Sequence, residues 1–500
     1  MKLLQQTKIQ LWILTGCCLL MIFIVRPWEL YFLNDDFIHI PMDIRYLFER
    51  GGFMRPVPNV FLELDKWLYG KNALGFFSTT LLMHSICVFC VYAFCRKLIT
   101  QYLNESGLHM LPLFAAVLFC FYPFHTEALM WTISRVATIA TTFTILSLHF
   151  YLTASERKTH ALLSWIFFVI ALFTYESMWN VLLLFLFMGI ANYKYGKPLR
   201  KEIVLWLIFF ITFLIYLLIR VKVLSSLTGD GYDSFEENAT NIPFLIANWF
   251  KVIARVFTPA FISTKTFVLV CASLALLHSI ALVFVFKRDK KAARFILVLI
   301  AAIITGVATA SILGIDTHRG EADRYLHYAS VFYCMMIAVI ILILSRHIQM
   351  QFVLVAGILV LFIFLLSSYQ QNFSKASAVT RTTVKFIQQN KTGGTAYFVD
   401  VPKASGGALI FRVGLDAAVD WMSLNSGYKK IVVLSQTEQF EGNRNFTTGD
   451  ITSNDFAVKN NLPSDNYILK DSSGTIHLQK EDIVFWFTKD AIRKVNPTNK

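Results

Sequence analysis

Long apolar runs recur along the first three quarters of this chain, separated by short polar loops. A run of about 20 apolar residues is long enough to cross the hydrocarbon core of a bilayer as an α-helix. The composition agrees, because 56% of the 500 residues are hydrophobic and only 16% are charged, against roughly 25% charged residues in ordinary soluble domains. The sequence therefore predicts an all-α polytopic membrane protein with about 11 transmembrane helices.

The distribution of basic residues predicts how these helices are oriented. The formal net charge is +14, which alone would also fit a protein that binds nucleic acid. The lysines and arginines, however, lie mostly in alternate short loops, such as Arg96-Lys97, Arg157-Lys158, Lys194 to Lys201 and Lys287 to Arg294. This alternation follows the positive-inside rule, so these loops and the amino terminus are expected in the cytoplasm, next to membrane lipid. No nucleic-acid partner is predicted.

The last quarter of the chain has a different composition. From residue 368 onward the sequence is more polar, and its runs Ala396 to Val399, Ile431 to Leu434 and Asp482 to Phe487 are typical of β-strands. Gly407 to Met422 has helical spacing. We therefore predict a membrane domain over residues 1–367, whose first outer loop spans 28–72, and a small α/β domain over 368–500. An odd number of spans from a cytoplasmic start places this second domain on the extracytoplasmic side.

Two adjacent carboxylates, Asp35 and Asp36, directly follow the first apolar run. They could simply end a helix in solvent. In an otherwise membrane-embedded chain they also suit chemistry on a lipid-linked substrate, because a carboxylate can accept the proton of an attacking hydroxyl. Cations such as Arg220 or Arg324 would offset the charge that develops on a departing phosphate. Asp35 and Asp36 are therefore the candidate catalytic residues.

Eleven ionisable residues, the acidic pair among them, collect near the outer ends of the predicted spans. A charge inside the membrane costs about 2.5–3.5 kcal/mol on insertion scales, so such residues usually face a cavity and pair with one another. Their shared side favours a water-accessible site at the outer leaflet, although any one of them could be an ordinary interfacial residue. They are Asp35, Asp36, His125, Glu127, Arg135, Glu176, Arg220, His318, Arg319, Asp323 and Arg324.

Several motifs stand in a shared order over about residues 30 to 335. The acidic pair is followed by Phe53-Met54-Arg55-Pro56 and Leu68-Tyr69-Gly70, and the second span carries His84. Further along come Pro123 to Ala128 with Arg135, then Tyr175-Glu176, then Tyr216 with Arg220, and finally Asp323-Arg324-Tyr325-Leu326-His327. In these motifs the chain resembles the GT-C class of membrane glycosyltransferases. It is most similar to bacterial relatives of the tetratricopeptide-bearing transmembrane O-mannosyltransferases and, more distantly, to the protein O-mannosyltransferases.

The resemblance implies a GT-C-like fold and an inverting transfer of a hexosyl or pentosyl unit from a polyprenyl-phosphate donor. It implies that Asp35 or Asp36 is the base, without choosing between them. The substrate-binding residues that it implies are Arg55, His84, His125, Glu127, Arg135, Glu176, Arg220, Arg324 and Tyr325. The chain departs from the family at Phe77, Thr80 and Tyr175, where relatives often have His, Asn and Lys, and tetratricopeptide repeats are absent. Arg55, His84 and Arg135 could instead be structural cations that brace the first loop.

The expected function is therefore a glycosyltransferase of the bacterial inner membrane, acting at its outer face on a protein, lipid or glycan acceptor. Two other functions are compatible with the same spans: a polysaccharide polymerase, and a lipid or solute transporter or flippase. The sequence requires no cofactor and assigns no metal ligands, although two carboxylates and a histidine could hold a divalent cation. The eight cysteines all fall in apolar runs and show no zinc-ligand spacing.

Overall fold

A computed structural model of the chain describes residues 6–103, 108–194, 196–226, 238, 240–261, 263–345, 347–422, 427–442, 444–452, 468–471, 474–477 and 481–496. Packing divides the chain into two compact units. The first, which we call the helical unit, comprises Met1–Arg26, Asp43–Leu68 and Gly75–Tyr369. The second, which we call the mixed unit, comprises Pro27–Met42, Tyr69–Leu74 and Gln370–Lys500. The loop that carries the acidic pair therefore belongs to the same unit as the polar tail.

Helices account for most of the described chain. The α-helices are Thr7–Val25, Asp36–His39, Pro56–Tyr69, Ala73–Tyr102, Leu111–Cys120, Thr126–Met130, Val136–Tyr151, Lys158–Leu172, Val181–Lys194, Leu199–Leu224, Ile242–Phe257, Thr264–Arg288, Lys290–Gly306, Ala310–Leu313, His327–Leu344, Ile348–Gln389 and Leu415–Met422. Short 3-10 helices cover Pro27–Glu29, Ile44–Tyr46, Pro123–His125, Ile133–Arg135, Glu176–Asn180 and Asp323–Leu326.

By length and composition, seven helices of the described residues could cross a membrane, or eight if one bent pair is a single span. This supports an integral membrane protein. The predicted count of about 11 is not confirmed. Three of the predicted spans correspond to the shorter helices Lys158–Leu172, Val181–Lys194 and Lys290–Gly306, of 15, 14 and 17 residues. At about 1.5 Å per residue, helices of these lengths fall short of a bilayer core about 30 Å thick.

The helical unit has a buried centre and an apolar exterior. Every residue of Leu111–Cys120 is buried, and this helix packs against His327–Leu344, which is also largely buried. Leu199–Leu224 and Thr264–Arg288 instead expose apolar side chains, for example Leu218 at 72% and Leu269 at 67%. Such large exposed apolar faces are unusual on a soluble monomer but are expected of helices that face lipid.

A break in one apolar helix places several candidate site residues. The helix Leu111–Cys120 ends before Pro123, and the chain continues through Pro123–His125 and Thr126–Met130 at a bend of 49°. Proline lacks an amide hydrogen and disfavours helical backbone in the residue before it, so an uninterrupted helix cannot pass this point. The turn that results carries His125 and Glu127.

The mixed unit is built around a five-stranded sheet. Its strand order is Lys430–Val433, Thr395–Val399, Ile483–Phe487, Ala491–Asn496 and Thr447–Thr452, and only the pair Ile483–Phe487 with Ala491–Asn496 is antiparallel. Shorter strands are Val401–Pro402, Ala404–Ser405, Ala408–Leu409, Gln436–Thr437, Ile468–Asp471 and Gly474–His477. Phe398 and Phe485 stack in its core with ring centroids 5.1 Å apart.

The strand-bearing tail agrees with the sequence prediction, and the helix before it is longer than its apolar run. The helix Leu415–Met422 connects two parallel neighbours, Thr395–Val399 and Lys430–Val433, as the predicted β-α-β order requires. The apolar run ends near Leu366, whereas the helix Ile348–Gln389 is 42 residues long and extends into the polar sequence that follows. Hydropathy reports which residues suit lipid and gives no signal where a helix continues into polar sequence.

Candidate active site

The acidic pair stands on a tight turn inside the mixed unit. Asn34 adopts a left-handed conformation with φ of 49°, and Asp36 begins the short helix Asp36–His39. The Asp36 side chain is fully buried, and its Oδ2 accepts a hydrogen bond of 3.0 Å from the amide of Leu33. A carboxylate that caps the amide of a turn in this way stabilises the turn.

Asp35 is placed differently from its neighbour. Its side chain is 25% exposed, and one of its oxygens lies 3.9 Å from Nε2 of His39, one helical turn further along. Asp36 therefore closes the turn, while Asp35 keeps access to solvent. The sequence could not distinguish the two carboxylates, since they are adjacent and chemically identical.

A segment of the tail holds this turn. The amide of Asn34 donates to the carbonyl of Ile410 at 2.9 Å, and the Asn34 side chain accepts from the amide of Val413 at 2.9 Å. Gly414 has φ of +81°, and a β-carbon built on it would lie 2.6 Å from the Asn34 carbonyl oxygen. Position 414 thus requires glycine, because of both the left-handed backbone conformation and this close approach.

Aromatic side chains complete the contact between the turn and the tail. The Phe37 ring lies 6.4 Å from that of Phe411 and 6.0 Å from that of Trp421, and Phe32 lies 5.1 Å from Trp421. These distances are typical of favourable aromatic pairs. We call residues 410–421 the clamp segment. The clamp segment and the acidic turn together form one packed substructure of the mixed unit.

In the helical unit, the remaining predicted site residues are mostly organised as arginine–carboxylate pairs. Each pair joins residues far apart in sequence, and in each pair the carboxylate is buried or nearly so. The pairs are Arg55–Glu176, Arg135–Asp65, Arg255–Asp323 and Arg324–Glu127.

Arg55 and Glu176 were both predicted as site residues, and the fold brings them together as a bidentate pair. The Arg55 Nε donates to Glu176 at 3.0 Å, and a second bond joins its Nη2 to the other carboxylate oxygen. The guanidinium also lies over the rings of Phe53 and Tyr175, at 4.3 and 4.9 Å. Burial raises the pKa of the Tyr175 phenol well above its ordinary value of 10, so Tyr175 is neutral where relatives of the resembled family often carry lysine.

Glu127 anchors the segment that carries Arg324 and Tyr325. One Glu127 oxygen accepts from the amide of Ala322 at 2.9 Å, and the other accepts from the amide and the guanidinium of Arg324 at 3.2 and 3.1 Å. Glu127 is fully buried, whereas the Arg324 side chain is 24% exposed. The Arg324 guanidinium also lies 4.9 Å over the Tyr325 ring. Arg324 is therefore a positioned, solvent-accessible cation.

The side chains of Arg135 and Arg220 are more deeply buried than that of Arg324. The Arg135 guanidinium pairs with Asp65, whose other oxygen accepts from Thr79 at 2.8 Å, and both members of the pair are 2% exposed. This contact fits the alternative interpretation of Arg135 as a structural brace. Arg220 is also buried, donates to the hydroxyl of Tyr216 at 3.4 Å and lies 5.7 Å from the Trp179 ring.

Three histidines converge where the broken helix meets its neighbours. His84, His125 and His327 are all buried, and each offers a ring nitrogen within 4.8 Å of those of the other two. His84 and His125 were predicted as substrate-binding residues, whereas His327 was noted only as part of a motif. Its role could not be inferred from its position, because 202 residues separate it from His125 and no spacing rule links them.

The pairing of Asp323 with Arg255 was not predicted from the sequence either. Both side chains are fully buried, and the Arg255 guanidinium additionally donates to the carbonyl of Thr258. Arg255 lies on the helix Ile242–Phe257, outside the motifs on which the site prediction rests. The pair fixes the start of the Asp323–Leu326 turn, next to Arg324.

Comparisons with known proteins give only distant similarities. No protein-family model matches the chain, and no curated protein matches it. Among solved structures, the chain is similar to an oligosaccharyltransferase of Archaeoglobus fulgidus, tethered to an acceptor peptide containing the NVT sequon, with a TM-score of 0.42 and 11% identity over 77% of this chain and 58% of that one. It is similar also to ArnT of Cupriavidus metallidurans bound to undecaprenyl phosphate, with a TM-score of 0.43 and 10% identity over 87% of each chain.

Proposed function

We propose that this chain is an inverting glycosyltransferase that moves a hexosyl or pentosyl unit from a polyprenyl-phosphate donor to an acceptor hydroxyl or amine. The observation that carries the proposal is the difference between the two carboxylates of the acidic turn. Asp36 is buried and bonded to the Leu33 amide, while the adjacent Asp35 is partly exposed. A rigid turn that presents one accessible carboxylate suits a general base.

In this mechanism Asp35 accepts the proton of the acceptor group. The acceptor atom forms a bond to the anomeric carbon while the bond from that carbon to the phosphate oxygen breaks. The electron pair of the broken bond leaves with the lipid phosphate, and the configuration at the anomeric carbon inverts because attack and departure occur on opposite faces. No covalent enzyme intermediate is needed.

Arg324 is our candidate for the cation that offsets the charge on the departing phosphate. Its guanidinium is partly exposed and is oriented by Glu127 and the Tyr325 ring. A planar guanidinium can hold two phosphate oxygens at once, which a lysine cannot do with the same geometry. We propose the same contribution from Arg220, and a role in shaping the sugar site for Glu176, His125 and Tyr325.

Arg55, His84 and Arg135 have structural contacts that compete with a role in binding. Arg55 forms two hydrogen bonds to Glu176, and Arg135 pairs with the buried Asp65. The Nε2 of His84 lies 3.2 Å from the carbonyl oxygen of Cys120. We therefore propose that Arg55 and Arg135 position the first loop. Neighbouring side chains, and not these two arginines, would then contact the substrate. The site would lie at the outer face of a bacterial inner membrane, and the acceptor would be a protein, a lipid or a glycan.

The test uses a deletion strain of the native host, complemented with wild type, Asp35→Asn, Asp36→Asn or Asp43→Asn. Asp43 is the matched control, because it is an exposed carboxylate bonded to Arg45 in the same stretch of chain. Protein-linked and lipid-linked glycans are then compared by mass spectrometry, together with the amount of each variant in the membrane. We expect wild type and Asp43→Asn to restore a glycan that Asp35→Asn does not restore.

Full restoration by Asp35→Asn at normal membrane level would contradict the proposed base. If Asp36→Asn alone fails while it is present in normal amounts, the roles of the two carboxylates are reversed. If no glycan changes on deletion, the transferase proposal fails as a whole. Transport of a lipid or solute, assayed in proteoliposomes, then becomes the function to test.

A further inference from the structure

The cluster of His84, His125 and His327 can bind a metal ion, a property that goes beyond the sugar-site role proposed for His125. His84 lies inside the helix Ala73–Tyr102, His125 lies in the turn at the helix break, and His327 is the first residue of His327–Leu344. Their exposed fractions are 1%, 0% and 0%. The rings of His125 and His327 are 4.1 Å apart, and His84 lies 5.4 and 5.7 Å from them.

Hydrogen bonds determine which nitrogen of His84 and His125 carries the proton. The Nε2 of His84 lies 3.2 Å from the carbonyl oxygen of Cys120, which can only accept, so this nitrogen bears the hydrogen. The Nε2 of His125 lies 2.8 Å from the Ser330 hydroxyl, which donates its own hydrogen to the carbonyl of His327 at 2.7 Å. The hydroxyl therefore accepts from His125, whose Nε2 also bears the hydrogen.

Both histidines are thus left with a lone pair on Nδ1. Within the described part of the chain, neither of these buried nitrogens has a hydrogen-bond partner. An unsatisfied polar atom in a dry interior is destabilising, and native proteins rarely leave two of them side by side. The Phe119 ring, whose centroid lies 4.8 to 5.6 Å from those of the three imidazoles, closes one side with an apolar wall.

Protonation would not resolve this arrangement. An imidazolium here would be a buried charge next to two other imidazoles, without a carboxylate among the three residues. A metal ion that accepts both electron pairs would satisfy the two nitrogens. The third histidine can supply one more ligand atom. Its Nδ1 lies 3.0 Å from the Thr141 hydroxyl and its Nε2 lies 3.4 Å from the Thr138 hydroxyl. With the hydrogen on Nδ1, Nε2 carries a lone pair, and a metal ion would take it in place of the long contact to Thr138, whose hydroxyl can donate to the carbonyl of Ala128 instead.

We propose that His84, His125 and His327 bind one Zn²⁺ ion. Neutral imidazole is a common ligand of zinc, and three histidines with a fourth, non-protein position are an established zinc geometry. Tetrahedral Zn–N bonds of about 2.0–2.1 Å place ligand nitrogens about 3.3 Å apart. The nitrogens now lie within 4.8 Å of one another, so modest rotation of the three side chains closes the site.

The ion would join three separate elements at one point. His125 is two residues before Glu127, and His327 is three residues after Arg324, so the ion would also fix the anchors of that pair. The hydroxyls of Ser330 and Thr141 act as outer hydrogen-bond partners, which orient metal-ligating imidazoles in known sites. Metal binding is measured without transfer, so failure of this site and failure of the transferase proposal can be distinguished.

The test is elemental analysis of the full chain, purified in detergent after expression with added zinc. We expect one zinc ion per chain in wild type and its loss in His125→Gln and in His84→Gln. The matched control is His278→Gln, since His278 bonds only to the carbonyl of Leu274 on its own helix in the contacts described here. Size-exclusion elution confirms that each variant remains folded.

A second measurement needs no variant and covers the case in which a histidine substitution unfolds the protein. The X-ray absorption spectrum of the bound zinc should show scattering from three imidazoles and no sulfur. Co²⁺ added after chelation should give the visible absorption of a tetrahedral site. Absence of bound zinc in wild type before and after zinc addition, sulfur ligation, or zinc retained in the His84→Gln/His125→Gln double variant would each overturn the proposal. Those outcomes would leave a bridging water as the partner of the two lone pairs.

Discussion

Carboxylates serve two different purposes in the two units of this protein. In the helical unit, Asp65, Glu127, Glu176 and Asp323 each pair with an arginine and are buried or nearly so. In the acidic turn of the mixed unit, Asp36 bonds to a backbone amide and Asp35 keeps access to solvent. The first group of carboxylates therefore holds cations in place, whereas the turn leaves one carboxylate accessible to solvent.

The largest expected effect tests the accessible carboxylate. Asp35→Asn keeps the size of the side chain and removes its ability to accept a proton, so transfer should fall by about 10²–10⁴-fold, the usual contribution of a general base. The free energy of unfolding should change little, because Asp35 is partly exposed. The measurement is the rate at which the glycan missing from the deletion strain reappears after induced expression. A loss of stability equal to that of Asp36→Asn would remove the distinction between the two residues.

The next effect tests the paired carboxylates. Asp65→Asn leaves the buried Arg135 guanidinium without its counter-charge, and breaking a buried pair in this way typically destabilises a protein by about 3–5 kcal/mol. The measurement is the thermal unfolding temperature of the purified protein in detergent. Replacing both partners, as Asp65→Leu with Arg135→Met, should recover much of the loss. The control is Asp43→Asn, which breaks the exposed Asp43–Arg45 pair and should shift the temperature very little.

A smaller effect tests how the acidic turn is held. Gly414→Ala combines a strained backbone conformation with a close approach to the Asn34 carbonyl, and should destabilise the mixed unit by about 1–3 kcal/mol. It should also lower transfer, because the turn must move away. Gly393→Ala separates the two causes, since Gly393 has φ of +78° but no neighbour within 4 Å of an added β-carbon. Equal loss of transfer in both variants would argue against the clamp segment as the support of Asp35.

The smallest effect tests the orientation of Arg324. Tyr325→Phe removes a long hydrogen bond of 3.4 Å from the guanidinium to the phenol but keeps the ring under the cation. We expect a loss of about 0.5–1.5 kcal/mol in donor binding, equivalent to roughly a 2- to 13-fold rise in KM with little change in kcat. The assay is transfer in membranes at varied donor concentration. A fall in kcat with an unchanged KM would contradict this orienting role and place Tyr325 next to the reacting atoms.

Much of the fold could be predicted from the sequence, because lipid and β-sheet each impose a local pattern. Apolar runs of the sequence coincide with the helices Leu199–Leu224 and Thr264–Arg288, and the strand predicted at 396–399 corresponds to Thr395–Val399. Hydropathy did not predict helix ends that lie in polar sequence, because no local change in the pattern marks them. The end of Ile348–Gln389 lies in polar sequence that still favours a helix.

The site could be predicted by residue type but not by partner. Glu127 and Arg324 were both identified, yet nothing in one sequence says that residues 197 positions apart pair with each other. The same holds for Arg55 and Glu176, and for the three histidines. Burial also decides between adjacent residues of the same type, as for Asp35 and Asp36, and burial is a property of the folded chain alone.

The bond between the Asn34 side chain and the amide of Val413 has a consequence for the synthesis of this protein. The two residues are 379 positions apart, so at about 5–20 residues per second the ribosome needs roughly 20 to 75 seconds to pass from one to the other. During that interval the acidic turn exists without the segment that holds it. The loop that carries the proposed base is among the first parts of the chain to be made and among the last to reach its final shape. A chain interrupted before residue 410 would therefore lack the contacts that hold the acidic turn.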